Sequence, residues 1–398
     1  MNRLLRISFN TAFLSLIPIL SWFVIGILID KNLTNVFTLT YPLQFVWLLL
    51  KSIFGTGANI CKEKEKNENA VGSGMTLGSI IGLGIFGFVA LNIESYISFM
   101  NMDIATYKEF ALYSVIQLYI QLVFSFILEK LYFEDKNKLA NKYCILFNML
   151  NFITLIISSL LFSSKMAIVI TTLLVIFLYL IFLIAKTYQK FKLEIHIIKY
   201  IKYDSVEVFN SIAFFIIFLF GLSNVLEYGE KYATALNFVA LITDAQWDTF
   251  EAVATVAKID ISKNKFNYRE HRNNAYKLLF LLLSTVFIMF VTLYSFYELN
   301  LGITMIYLSF ELVNFVVFPI YRLKTCYLQL EYSAIKTTSN KIISSILRMV
   351  ISFIKTPFCT GMGQACSAIY QFFSVNILFH RNFRINKDGT IKRWNKDE

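Results

Sequence analysis

Charge is what this sequence is shortest of: only 16% of its 398 residues are Asp, Glu, Lys or Arg, against about 25% in an ordinary soluble domain. That deficit leaves too little polar surface to cover a water-soluble globule of this size. Catalytic and metal motifs are missing too. The five Cys (Cys61, Cys144, Cys326, Cys359 and Cys366) have no metal-ligand spacing and lie in or beside apolar stretches, so buried thiols are expected, with neither a disulfide framework nor a zinc site. His196, His271 and His380 are scattered over loops and helix ends. There is no GxxxxGK(S/T) phosphate loop, no nucleophile elbow and no HExxH, so hydrolysis of ATP or of peptides has no motif behind it. The chain is therefore not read as an enzyme, and no cofactor is expected; an ion gradient or a separate partner is left as the energy source.

Apolar residues fill the space that charge leaves. They make up 57% of the chain, with 40 Phe and 22 Tyr among them, and they come in blocks of about 20, the length that crosses a hydrocarbon core of roughly 30 Å. Spans are predicted near 6–28, 36–57, 71–92, 107–129, 143–163, 167–186, 208–226, 232–256, 275–297, 302–323, 340–358 and 362–380. Arg3 and Arg6 precede the first block as in a signal peptide, but no small-residue cleavage site follows, so that block reads as the first of twelve membrane helices. Span ten is the least regular, because Arg322 and Lys324 interrupt an apolar stretch that runs on to Leu330.

Loop charge tests that count. Lys and Arg crowd the N-terminus, the loops around Lys62–Lys66, Lys130–Lys142, Lys186–Lys202, Lys258–Lys277 and Lys336–Lys341, and the tail from Arg381 to Lys396. The alternate loops hold little beyond Lys31, Lys165, Lys231 and Lys355. By the positive-inside rule both termini are cytoplasmic, in a cell membrane, and the composition suggests a bacterial one. The net charge of +11 is then a topological signal, and a nucleic-acid partner is not expected. The loops after spans two and eight correspond across the two halves, as do those after spans four and ten, which suggests a duplicated layout. Residues 1–190 form a six-helix lobe, 191–203 a cytoplasmic linker, 204–383 a second six-helix lobe and 384–398 a cytoplasmic tail. Regularly spaced charged loops in any twelve-span protein are the alternative to that repeat.

The segment Gly55–Ala70, running into the Gly-rich Val71–Gly82, resembles the loop after the second helix of multidrug and toxic compound extrusion (MATE) transporters. Ala252–Phe266 with Arg269–Ala275 is similar to the equivalent loop of that family's second lobe. The resemblance implies an all-α integral membrane protein of twelve helices, in two lobes related by pseudo-twofold symmetry about a V-shaped cleft. It also implies a monomer embedded in membrane lipid, moving a small-molecule substrate with Na⁺ or H⁺ as the coupling ion. The wider superfamily includes polysaccharide and lipid-linked sugar flippases. One departure stands out: family members often carry an acid near the end of the first helix, where this chain has Ile25, with Asp30 beyond it.

Ionisable groups at membrane depth cost roughly 2.5–3.5 kcal/mol each on insertion scales, so they mark ion or substrate sites. In span eight Asp244, Asp248 and Glu251 share a helical face that continues to Thr255 and Lys258, a crowding of acids that could bind a proton, Na⁺ or a cationic substrate. The alternative is that they sit at the interface, paired with Lys258 or with loop cations. Span seven opens with Asp204, Glu207 and Asn210, again on one face. Glu207-Val-Phe is similar to the start of the seventh helix in sodium-coupled family members, while Asp204 could be a helix N-cap. Glu207, Asp244, Asp248, Asp204 and Glu251 are the ion-coupling candidates. Along the substrate path stand Gln117 and Gln121 of span four, Asn210, Trp247, Glu311 of span ten and Arg348 of span eleven, the last two as lone charges that could pair. Lys51 is expected to snorkel, and Pro18 and Pro319 to bend their helices.

Three functions are compatible with these features: an antiporter exporting amphipathic cations, a flippase for a lipid-linked sugar or related lipid, and a non-transporting scaffold. The flippase would want basic residues in the cavity, for which only Lys51, Arg322 and Arg348 are available. A membrane-embedded transferase would want a His or Asp motif at a helix end, and none is present.

Overall fold

A computed structural model describes residues 2–30, 33, 36–100, 102–226, 228–294 and 299–394; the side chains of some helical residues, Pro18, Asp244 and Asp248 among them, lie outside the described residues. The chain separates into two compact units, Phe9–Asp204 and Met1–Ser8 with Ser205–Glu398. The first two turns of the N-terminal helix thus group with the second half of the sequence.

In the first unit, α1 (Asn2–Leu28, from Phe9 onward) is followed by α2 (Val36–Leu50), a π-helical turn at Lys51–Gly57 and α3 (Ala58–Glu65). Then come α4 (Ala70–Leu91), the short α5 (Ile93–Phe99), α6 (Ile104–Phe133), α7 (Asn137–Leu161) and α8 (Lys165–Thr187). Asp103 caps α6, its carboxylate accepting from Thr106 N at 2.8 Å, and left-handed Lys66 and Asp135 (φ 57° and 59°) end α3 and turn the chain after α6. α6 is the core element, with Phe110, Val115, Leu122, Phe124 and Ile127 all buried. Between α8 and α9 (Ile197–Leu226) the chain is extended and bonded to the start of α4. Glu194 accepts from Asn67 Nδ2 at 2.8 Å and Asn69 Nδ2 at 2.9 Å, and Phe191 lies where a Cβ on Gly72 would fall. Lys199 adds an ion pair to Glu65 at 2.6 Å, and the two Asn donors hold the Glu194 carboxyl below its usual range.

The second unit continues α9 from Ser205 and adds α10 (Glu230–Ser262), α11 (Tyr268–Tyr294), α12 (Leu301–Glu331), α13 (Ala334–Ser352) and α14 (Cys359–Asn382). A two-stranded antiparallel hairpin follows, β1 (Phe383–Ile385) and β2 (Ile391–Arg393), so the expected tail is folded. Ala235, Phe238, Val239 and Ile242 of α10 meet Val286 of α11 and Tyr307 and Leu308 of α12 in a buried cluster. Arg3, from the start of α1, is ion-paired with Asp260, which also faces His271 Nε2 at 2.9 Å. These groups border a cavity of about 210 Å³ with Lys265 and Glu270.

Seven helices among the described residues are long and apolar enough to cross a membrane: Pro42–Glu65, Ala70–Leu91, Ile104–Phe133, Asn137–Leu161, Lys165–Thr187, Tyr268–Thr292 and Leu301–Glu331. Several predicted boundaries move. Helix α12 runs unbroken through Arg322 and Lys324 to Glu331, because both cations are buried against partners rather than exposed at a break. Helix α13 stops at Ser352, short of the expected 358. Cys366 is exposed, unlike the other four Cys; it lies on one stripe of α14 with Ile369, Phe373 and Ile377, also exposed, the face an apolar medium would cover.

Candidate functional site

The candidate residues of the second unit fall into two clusters. In the first, α10 supplies Trp247 and α12 supplies Glu311 and Phe315. The Trp247 indole stacks on Phe315 with ring centroids 3.9 Å apart and planes 6° from parallel, and Phe318 meets it edge-on at 5.4 Å. One turn separates Glu311 from Phe315 on α12, so the stack fixes the indole with its Nε1–H donating to Glu311 Oε2 at 2.8 Å. Gln364 Nε2, from α14, donates to the same oxygen at 2.7 Å. Arg348 of α13 donates to Gln364 Oε1 at 3.2 Å and lies over the Phe214 ring of α9 at 4.3 Å. Gln364 bridges Arg348 and Glu311. Two donors that carry no charge hold this carboxylate.

The second cluster lies further along α10 and α12. Arg322, 6% exposed, donates to Glu251 Oε2 from Nε at 3.2 Å and Nη2 at 2.8 Å, and its Nη2 also meets Glu207 of α9. Lys258 Nζ, on α10, lies 3.6 Å from Glu207 Oε1. The forked guanidinium suits such a double role because its donors are fixed in one plane. The result is a neutralised cluster, in contrast to Glu311. Lys258 thus lies by Glu207, and Glu251 by Arg322.

The remaining candidates separate from these. The Asp244 and Asp248 side chains lie outside the described residues. Asn210 is half-buried on α9. Asp204 is buried at 1% exposure at a kink where two helical segments of α9 meet and its backbone leaves helical geometry (φ −129°, ψ 26°). In the first unit Gln117 and Gln121 are both buried on α6, and Gln117 Nε2 has no hydrogen-bond partner among the described residues. Lys51 does not simply snorkel: its Nζ lies 3.4 Å from Glu129 Oε1 and over the Trp47 ring at 5.4 Å.

Sequence reasoning missed three participants. Glu129 ended a predicted span and could have been matched to Lys51 as the complementary charge in the same unit. Gln364 and Phe214 carried no signal, since amides and aromatics are common in such helices. Among the described residues no group of three or more His, Cys, Asp or Glu is arranged to hold a metal ion.

No family model matches the sequence, and no curated protein matches it either. Solved structures do. A MOP superfamily transporter from Pyrococcus furiosus, described by the reverse polarity of its binding pocket, aligns with a TM-score of 0.72 at 15% identity, covering 94% of this chain and 95% of that one. An outward-facing multidrug resistance MATE family transporter gives 0.72 at 15% identity with the same coverage. A MATE in the straight conformation gives 0.66 at 15% identity, again over 94% and 95%. The class is thereby defined as a multi-pass helical membrane protein with the fold of MOP superfamily transporters. At the level of the whole fold this agrees with the resemblance to MATE transporters.

Proposed function

We propose that this chain is a secondary-active antiporter that exports amphipathic, cationic small molecules, with H⁺ as the coupling ion carried by Glu311. The carrying observation is the contrast between its carboxylates. Glu207 and Glu251 already face Arg322, and Glu207 also faces Lys258, so a proton or Na⁺ arriving there must compete with a tethered cation. Glu311 is held by an indole N–H and an amide N–H, neither of which changes charge, and its charge is therefore open to exchange. The stacked Trp247 and Phe315 beside it offer the π-surface that attracts an organic cation. Proton and drug would then compete for one carboxylate, which suffices for exchange when the two bind in alternate states.

In this reading the chain makes twelve crossings in two lobes with both termini cytoplasmic, and acts as a monomer. The alternative of an anionic lipid-linked cargo draws on the same site through Arg348, whose guanidinium lies next to Gln364. Dye efflux from proteoliposomes under imposed H⁺ or Na⁺ gradients tests the proposal. Cationic dye should leave in response to the H⁺ gradient, and Glu311→Gln should abolish that response while leaving Glu207→Gln less affected. Efflux that ignores both gradients, or that Glu311→Gln leaves intact, would overturn it; transfer of a fluorescent lipid-linked sugar lost in Arg348→Gln would favour the flippase.

A further inference from the structure

The C-terminal hairpin presents a charge pattern that its own fold opposes. In its register Arg384 lies directly across from Lys392, and like charges directly opposite each other on a two-stranded ribbon destabilise it. Arg381, Lys387 and Arg393 add to them, and all five are exposed. Among the described residues none of the five is ion-paired with a carboxylate. Asp388, the one acid between Arg381 and Trp394, accepts from Thr390 N at 3.0 Å and Thr390 Oγ1 at 2.7 Å.

The hairpin is nevertheless firmly seated. Phe383 is buried against Tyr327 and Phe379, with ring centroids 5.3 and 5.6 Å away. Tyr268 N donates to Gly389 O at 3.0 Å and Asn267 Nδ2 to Asp388 O at 2.8 Å. Phe383 and these backbone bonds anchor the hairpin; Arg393 pairs with Phe383 and shares its face, while Arg384 and Lys392 stand together on the opposite face. The field of the basic residues registers on a neighbour: the Tyr332 hydroxyl, which accepts from Lys336, is held below its usual range by that bond and by Lys336, Arg393 and Arg381.

We propose that this hairpin is a docking surface for anionic phospholipid headgroups of the leaflet into which α14 emerges. The hairpin follows α14 without a linker, which places its cations at headgroup level if α14 crosses the bilayer. Trp394 is 46% exposed, its indole N–H donates to the His380 carbonyl in the last turn of α14 at 3.0 Å, and the Arg384 guanidinium lies over its ring at 5.4 Å. A Trp at a helix exit is the side chain that interfaces favour, and a basic cluster immediately beyond a span attracts anionic lipid. Headgroup phosphates between Arg384 and Lys392 relieve their repulsion.

The inference rests on the membrane reading of the chain, and its test contains no transport step, so loss of the antiporter proposal would leave it standing. The full-length protein in neutral detergent is titrated with dioctanoyl phosphatidylglycerol, dioctanoyl phosphatidylcholine or inorganic phosphate while its melting temperature is followed. Phosphatidylglycerol should give a saturable rise that the other two do not. The Arg384→Ser/Lys392→Ser double variant should bind it about 25-fold more weakly, at about fivefold per surface charge removed. Lys392→Thr alone, without lipid, should melt at or above the unmodified protein, since it removes the opposed pair. An equal rise with phosphatidylcholine or inorganic phosphate, unchanged lipid affinity in the double variant, or a lower lipid-free melting temperature of Lys392→Thr would each overturn the proposal.

Discussion

Arg322 reaches carboxylates on two other helices, and the two differ in exposure: the Glu251 side chain is 41% exposed and that of Glu207 16%. Removing one partner of a buried pair strands the other, at about 3–5 kcal/mol, whereas a half-exposed pair contributes at most about 1 kcal/mol. Arg322→Ala should therefore lower the melting temperature far more than Glu251→Ala, measured in the same detergent. Asp260 supplies a pH-dependent counterpart. Burial raises its pKa, but hydrogen bonds from His271 and Arg3 outweigh that, and the net shift is downward. A depressed carboxylate contributes stability above its unfolded pKa of about 3.9 and loses it as pH falls through the folded value. The difference in melting temperature between the unmodified protein and Asp260→Asn, present at neutral pH, should shrink as the pH falls below about 4. Sequence reading singled out Glu251 and Glu311 as ionisable groups within apolar blocks, Glu207 from its helical spacing and its resemblance, and Arg322 as an interruption of span ten. Their pairing was not legible, since it depends on how α9, α10, α12 and α14 are rotated about their axes.

Helix α4 shows how a whole element is read from its small residues. A Cβ at Gly74 would lie 2.5 Å from Ala58 Cβ and 2.8 Å from Phe54 O, while one at Gly84 would meet nothing within 4 Å. The first glycine permits α4 to approach the π-helical turn and α3, and the second faces outward. Gly74→Ala should destabilise by about 1–3 kcal/mol through overpacking, and Gly84→Ala should stabilise by up to about 1 kcal/mol because Ala is the better helix former, both read by thermal unfolding. The Gly-rich character of Val71–Gly82 was plain in the sequence; the close approach it serves was not, because the π-helical turn at Lys51–Gly57 has no compositional signature. Span ends were misjudged for a related reason. Charged residues extend α10 and α12 beyond their apolar blocks, and hydropathy alone stops where the helix does not.

At the level of the whole chain, block length made the apolar helices legible, because apolar runs follow from how a bilayer accepts a chain and not from fine packing. Over 94% of the sequence the chain shares the fold of a MOP superfamily transporter at 15% identity. Single Cys placed near Asn2 and Trp394 in a Cys-free background should both react with impermeant maleimide only from the cytoplasmic side; labelling from opposite sides would require an odd number of crossings. The pairing of Arg3 with Asp260 also has a consequence for biogenesis. More than 250 residues separate them, and ribosomes add roughly 5–20 per second, so Arg3 waits on the order of tens of seconds for this counter-charge. Insertion of the helices between them must begin before this pair can form, and the clasp closes only after Asp260 has been made.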